Sequence, residues 1–202
     1  MKRKIFIEGK NPDERAYIGW QNESLSLFGV KEGYKNSADD LVDIAIREGN
    51  KGAIKILDTY VFPIIFLYRH SIEVSLKFIY LRALDEIPKG GHNLLTLWDK
   101  VEKDVINCLQ DEKKLEELSD KNNTKIEKLC FEPSVCKEIK ILLKELQGED
   151  SKGDVWRYLI NTEGSLYFTE WDFIDYKNLK ESINYIYDIL DELYYRVDYI
   201  LQ

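Results

Sequence analysis

"YRHSIEVSLKFIYLRAL", Tyr68 to Leu84, is the stretch on which the reading of this chain turns. Advancing about 100° per residue puts Ile72, Leu76, Ile79 and Ala83 on one arc, so a helix with an apolar face is expected. Charge crowds the neighbouring arc. From Arg69 as origin, Tyr80 falls at ~20°, Glu73 at ~40°, Leu84 at ~60°, Lys77 at ~80°, His70 at ~100° and Leu81 at ~120°. Ser71, Ser75 and Arg82 lie opposite and read as the wet face, which leaves the charged row off the evident solvent side. Burying ions is costly unless they pair, and the i, i+4, i+8 spacing of Arg69, Glu73 and Lys77 lets one carboxylate bridge two cations. Two readings follow. Either the row satisfies itself and fixes how the helix meets its neighbours, or the surplus of Arg69, Lys77 and a titratable His70 over one acid is completed by an anion, from elsewhere in the fold or from a ligand.

Working outward, helical periodicity begins near Gly52, and Pro63 is expected to kink or break the helix after Phe62. "NSADDLVDIAIREG" reads as a short helix with Ser37 as N-cap and Gly49 past its end. Residues 1–36 mix aromatics, glycine and charge without a period and are expected to form short strands or turns. On the C-terminal side, Leu94, Leu97, Trp98, Val101, Val105 and Cys108 step by three and four, predicting a helix from His92 to about Gln110. "PSVCKEIKILLKELQG" is another, with Pro133 in its first turn and Gly148 as its stop. "VWRYLINTEGSLYF" reads as two short strands around a turn, a β-hairpin over 154–169. A long last helix carries Leu179, Ile183, Ile186, Leu190, Leu193, Val197 and Ile200 in a narrow seam, which either packs within the chain or meets another subunit. The expected fold is mainly all-α: one domain over 1–202, a bundle of four to five helices with a small β-hairpin inserted before the C-terminal helix.

The chain has 202 residues, 44% hydrophobic and 33% charged, enough for a globular core, and its net charge of −8 repels nucleic acid at long range. Any RNA contact must therefore come from a local basic patch. No apolar run approaches the ~20 residues of a membrane span, and the apolar part of "MKRKIFIEGK" is too short for a secretory signal, so a cytoplasmic protein without membrane contact is expected. Cys108, Cys130 and Cys136 lack paired spacing, and neither a disulfide framework nor a metal site is expected; no cofactor is implied. His92 follows Gly90 and Gly91 at a helix start, where free N–H groups favour an anion, or where it and Asn93 simply cap the helix. Arg157 and Tyr158 add a cation and a hydroxyl that could fold toward the bundle. The candidate site residues are thus Arg69, His70 and His92 for catalysis, with Glu73, Lys77, Arg157 and Tyr158 for ligand binding.

"FPIIFLYRHSIEVSLKFIYL", "GHNLLTLW" and "VWRYLINTEGSLYF" resemble helical proteins of the HEPN superfamily, particularly bacterial members from defence or toxin-antitoxin settings. The resemblance implies a helical bundle of a kind that often dimerises, so a homodimer through helical faces is expected. In active members it implies metal-independent RNA cleavage by an arginine and a histidine. That family's motif is Arg, four to six residues, then His; neither His70 nor His92 has an arginine at that distance. The resemblance leaves two functions open. One is a ribonuclease in which a neutral histidine takes a proton from a ribose 2′-hydroxyl while Arg69 and Lys77 stabilise phosphate charge. The other is a non-catalytic module that binds a nucleotide, RNA or a partner protein.

Overall fold

The helix expected over Tyr68–Leu84 is the second half of a longer one. The computed structural model, which describes residues 5–6, 8–18, 23–122, 125–150, 153–158, 160, 163–167 and 173–202, places α2 at Ile54–Leu84, packed against helices on several sides. Ile64, Tyr68, Ile72, Leu76 and Ile79 are fully buried, and so is Ser71, with Ser75 nearly so. The wet face expected at the two serines is therefore a packed one. Ser71 Oγ donates to the Tyr68 carbonyl at 2.9 Å and Ser75 Oγ to the Ser71 carbonyl at 2.9 Å. Each hydroxyl is satisfied inside its own helix, so two small side chains can face a neighbour without orphaning a polar group. Arg82 is half-buried and pairs with Asp198. Pro63 does not break the helix: α2 runs through it. The carbonyl freed by the missing N–H belongs to Thr59, and both residues lie on an exposed side where water can take the place of the lost donor.

Helix α1 spans Glu23–Gly49, so much of the segment expected to be irregular up to residue 36 is helical, and Ser37 is an interior residue rather than a cap. The period was hidden because a lysine occupies a core position. Lys31, Ala38, Val42 and Ala45 form the buried stripe, and Lys31 is 1% exposed. Its ammonium meets Asp191 at 2.6 Å, Glu32 at 3.1 Å and the Tyr187 hydroxyl at 3.0 Å, and lies over the Phe28 and Tyr187 rings. A buried charge is tolerable when so fully paired, and this one ties α1 to the last helix. Earlier in the chain, Pro12–Glu14 forms a 3-10 turn; residues 1–4, 7 and 19–22 lie outside the described residues. Gly52, at φ +88°, turns the chain from α1 into α2, and Tyr68 donates to Asp39 at 2.6 Å across the pair.

Helix α3 (Leu94–Lys100) passes through a π-helical turn, Val101–Ile106, into α4 (Asn107–Gln110). The wider turn lets the adjacent Val105 and Ile106 both face inward. Helix α5 (Glu112–Asn122) is polar; α6 (Pro133–Glu149) runs past Gly148 and buries Cys136, Ile139 and Leu143. Helix α8 (Tyr176–Ile200) starts at Asp175, whose carboxylate accepts from the Lys177 and Asn178 N–H groups at 2.8 and 2.9 Å. Its seam of Ile183, Ile186, Leu190, Leu193 and Val197 is buried within the chain, where α8 packs on α2, α1 and α6.

The β-hairpin expected over 154–169 is not found in the described residues. Val155–Tyr158 form a helical turn, α7, with Arg157 and Tyr158 N–H donating to the Asp154 carbonyl and Val155 N–H to the Asp150 carboxylate at 3.1 Å. A single antiparallel bridge joins Ile160 to Leu166; Leu159, Asn161, Thr162 and residues 168–169 lie outside the described residues. Capping by Asp150 favours the helical turn, and two such short segments with no third strand could not hold a sheet by themselves. The architecture is a mainly α-helical bundle without a strand among the described residues, and no helix is long and apolar enough to cross a membrane.

Candidate functional site

Successive turns of α2 carry Arg69, Glu73 and Lys77, and the fold brings two further groups against them: the loop that leads into α3 and the chain just past α6. Glu73 is the hub. Its carboxylate, 2% exposed, accepts from Lys77 Nζ at 2.7 Å, meets Arg69 Nη1 at 3.4 Å, and lies 2.9 Å from His92 Nδ1. Burial pushes the Glu73 pKa up, but hydrogen bonds and charge from Lys77 and His92 outweigh it, and the group sits below its ordinary value. An ionised carboxylate only accepts, so Nδ1 carries the hydrogen, and whenever the ring holds a single proton its lone pair falls on Nε2. The His92 side chain is 67% exposed, so the ring stays open to solvent while Nδ1 is engaged with Glu73.

Arg69 is turned inward. Its side chain is 4% exposed; Nη2 donates to the His92 carbonyl at 2.7 Å and to the Asp150 carbonyl at 3.4 Å, and Nε faces the Asp150 carboxylate at 3.3 Å. The Arg69 guanidinium thus holds His92 by its backbone, while Glu73 holds it by its ring. Asp150 is the second carboxylate of the row, so Arg69 and Lys77 face Glu73 and Asp150 in equal number. Its backbone carbonyl also accepts from Gln147 Nε2 at 3.2 Å, and Gln147 Oε1 accepts from the Leu94 N–H at 2.7 Å, joining α6 to the start of α3. Asn93, rather than His92, caps α3 by accepting from the Thr96 N–H at 2.8 Å. Gly153, at φ +75°, lets the backbone lie flat on Arg69: a Cβ there would stand 3.0 Å from Nη1. Sequence reasoning missed Asp150 and Gly153, because they lie in a polar stretch with no period and meet α2 only through the fold.

His70 stands apart from this row. Its ring meets Tyr34 edge-on at 4.5 Å and lies nearly parallel to Phe66, 10° between planes, at 6.0 Å. Burial pulls its pKa below the ordinary value; Glu73 opposes this, while Lys77, His92 and Arg69 reinforce it, so the ring is neutral at pH 7. Arg157 and Tyr158 join from α7. The Arg157 guanidinium lies over the Phe66 ring at 5.7 Å and the Tyr158 ring at 5.2 Å, and its Nε donates to the Gly153 carbonyl at 3.0 Å. Tyr34 and Phe66 are partners of His70 that periodicity does not single out; the i, i+4 spacing of Phe66 and His70 is the one signal of the contact in the sequence.

Among the described residues, a cavity of about 410 Å³ opens between α6 and α8, lined by Ile65, Leu146, Trp156, Leu179 and Ile183, with Glu145 at its rim. None of Arg69, His70, Glu73, Lys77 or His92 lines it. The two histidines, the side chains suited to taking up or releasing a proton near pH 7, lie outside this cavity and mark the candidate site. The described residues contain no group of three or more His, Cys, Asp or Glu placed to hold a metal ion. No family model matches the chain, and no curated protein or solved structure is similar to it.

Proposed function

We propose that the Glu73–His92 pair is the proton-transfer centre of a metal-independent, HEPN-like endoribonuclease. The observation that carries the reading is the 2.9 Å contact between His92 Nδ1 and a carboxylate 2% exposed, on a ring that is itself 67% exposed. A buried acid that fixes the tautomer of an accessible imidazole is the arrangement general-base chemistry requires. His92 Nε2 takes the proton from a ribose 2′-hydroxyl, that oxygen attacks phosphorus, and the 5′-oxygen leaves with a proton from water. Lys77, 20% exposed, is placed to meet the charge that develops on the phosphate. Arg69 is a positioning residue, and His70 a neutral neighbour. The HEPN resemblance adds its setting, bacterial defence or a toxin-antitoxin pair, and a homodimer; the exposed Tyr195 and Tyr199 of α8 offer a face for the latter.

The test is degradation of RNA by the purified protein in excess chelator. His92→Ala, at an exposed ring, is expected to lower the rate about 10²-fold or more. A rate unchanged in His92→Ala refutes the mechanism. A second reading rests on Asp150: because it balances the row internally, the cluster also works as a structural lock joining α2 to α3 and α6, without a ligand. Under that reading, stability depends on the row while no RNA is cleaved.

A further inference from the structure

The acid–base pair accounts for Glu73, His92 and Lys77, but not for the aromatic and cationic groups beside them. His70, Phe66, Arg157 and Tyr158 form a continuous ladder: His70 is parallel to Phe66, the Arg157 guanidinium lies over Phe66, and the same guanidinium lies over Tyr158. Tyr34 closes its flank, edge-on to both His70 and Phe66. The ladder starts on α2, one residue from Arg69, and ends at Tyr158, 63% exposed. It is also anchored to the candidate site. Arg157 Nε holds the Gly153 carbonyl, Gly153 lies on Arg69, and Arg69 holds the His92 carbonyl.

A bulky, exposed tyrosine beside an arginine is poorly explained by stability, since a ring left largely in water gains little from burial. It is well suited to a flat ligand that carries negative charge. Every nucleobase has a face that stacks on such a ring, and the guanidinium adds cation–π attraction and a charge for the phosphate. The bases of a duplex are already stacked on each other and cannot use such a platform, whereas an unpaired base can.

We infer that Tyr158 and Arg157 form a base-stacking subsite for single-stranded nucleic acid beside the candidate site. This inference rests on the RNA reading above and narrows it to an unpaired strand, with Tyr158 as the residue that seats the base. The local cation and ring also supply what a chain of net charge −8 needs in order to hold a polyanion: short-range contact in place of a global field.

The test uses a fluorescein-labelled, uncleavable 2′-O-methyl decanucleotide without self-pairing, with binding followed by fluorescence anisotropy. The full-length protein is expected to bind the single strand at least about tenfold more tightly than the same sequence in duplex form. Tyr158→Ala is expected to weaken single-strand binding about tenfold and Tyr158→Phe to leave it nearly unchanged, as stacking rather than the hydroxyl carries the contact. Because Tyr158 is exposed, Tyr158→Ala leaves the fold intact, and circular dichroism verifies this. Equal binding by wild type and Tyr158→Ala, equal affinity for single strand and duplex, or no single-strand binding at 100 µM protein each overturn the subsite. Its failure is separable from that of the cleavage reading. If His92→Ala abolishes cleavage while Tyr158→Ala binds normally, only the subsite falls; if binding depends on Tyr158 and no RNA is cleaved, only the catalytic reading falls.

Discussion

Replacing Arg69 by methionine probes the interior of the cluster most directly. Methionine fills much of the same volume, so the change removes charge and hydrogen bonds with little loss of packing. It strands two carboxylates unequally. Glu73 keeps Lys77 at 2.7 Å and His92 at 2.9 Å, whereas the carboxylate of Asp150, 1% exposed, keeps, among the described residues, the Val155 N–H at 3.1 Å. Removing one partner of a buried pair costs about 3–5 kcal/mol, because the other charge stays buried without compensation. Against a total stability of about 5–15 kcal/mol, that is a large fraction, and for a chain of this size it lowers Tm by roughly 6–20 °C. The assay is urea unfolding at pH 7 followed by tryptophan fluorescence and by circular dichroism, whose transitions must coincide before a free energy is extracted. Adding Asp150→Asn keeps an oxygen for the Val155 N–H while discharging the stranded acid. The double variant is therefore expected to recover about half of the loss, a coupling of about 1.5 kcal/mol or more. A cost below ~1 kcal/mol for Arg69→Met, or strictly additive effects of the two substitutions, would show that Arg69 and Asp150 do not compensate each other.

Other expectations follow from the same geometry. Gly153→Ala forces a Cβ toward Arg69 Nη1 at 3.0 Å and an unfavourable φ of +75°, and is expected to cost about 1–3 kcal/mol in the same urea assay; a neutral result contradicts the close approach. His70 has a folded-state pKa below its ordinary 6.5, so the unfolded chain takes up its proton first; the stability it protects is full above pH 6.5 and declines as pH falls below it. His70→Phe, which keeps a ring against Phe66 and Tyr34, is expected to flatten the slope of stability between pH 7.5 and 5, and an unaltered slope counts against this. Glu73 lies on the acid side of its ordinary 4.5, so its contribution is full above pH 4.5 and is lost as pH falls through the folded-state value; Glu73→Gln is expected to reduce acid sensitivity in that window, read by the midpoint of acid unfolding.

Periodicity made the helices at Tyr68–Leu84, Leu94–Gln110, Pro133–Glu149 and Tyr176–Ile200 legible, because each has an apolar stripe that follows the helical repeat. Where the buried stripe holds a charge, as at Lys31 in α1, the repeat is broken in the sequence although the helix is not; the pairing that makes the lysine tolerable comes from Asp191 and Tyr187, far along the chain. The serines of α2 misled in the opposite sense, since a hydroxyl that bonds its own helix costs little to bury. "VWRYLINTEGSLYF" looked strand-like by composition, yet Asp150 caps its first turn and Val155–Tyr158 wind as a helix.

The sequence by itself determined that α2 would carry Arg69, Glu73 and Lys77 in one row, because a fixed rise and turn per residue places i, i+4 and i+8 together whatever surrounds them. It could not say which way each charge would point. Only the tertiary structure turned Arg69 onto Asp150, set the His92 ring on Glu73 and left Lys77 partly exposed, since those contacts join residues separated by up to 81 positions. Such pairings depend on how whole helices pack, and helix packing is decided by the buried faces together rather than by any one stretch.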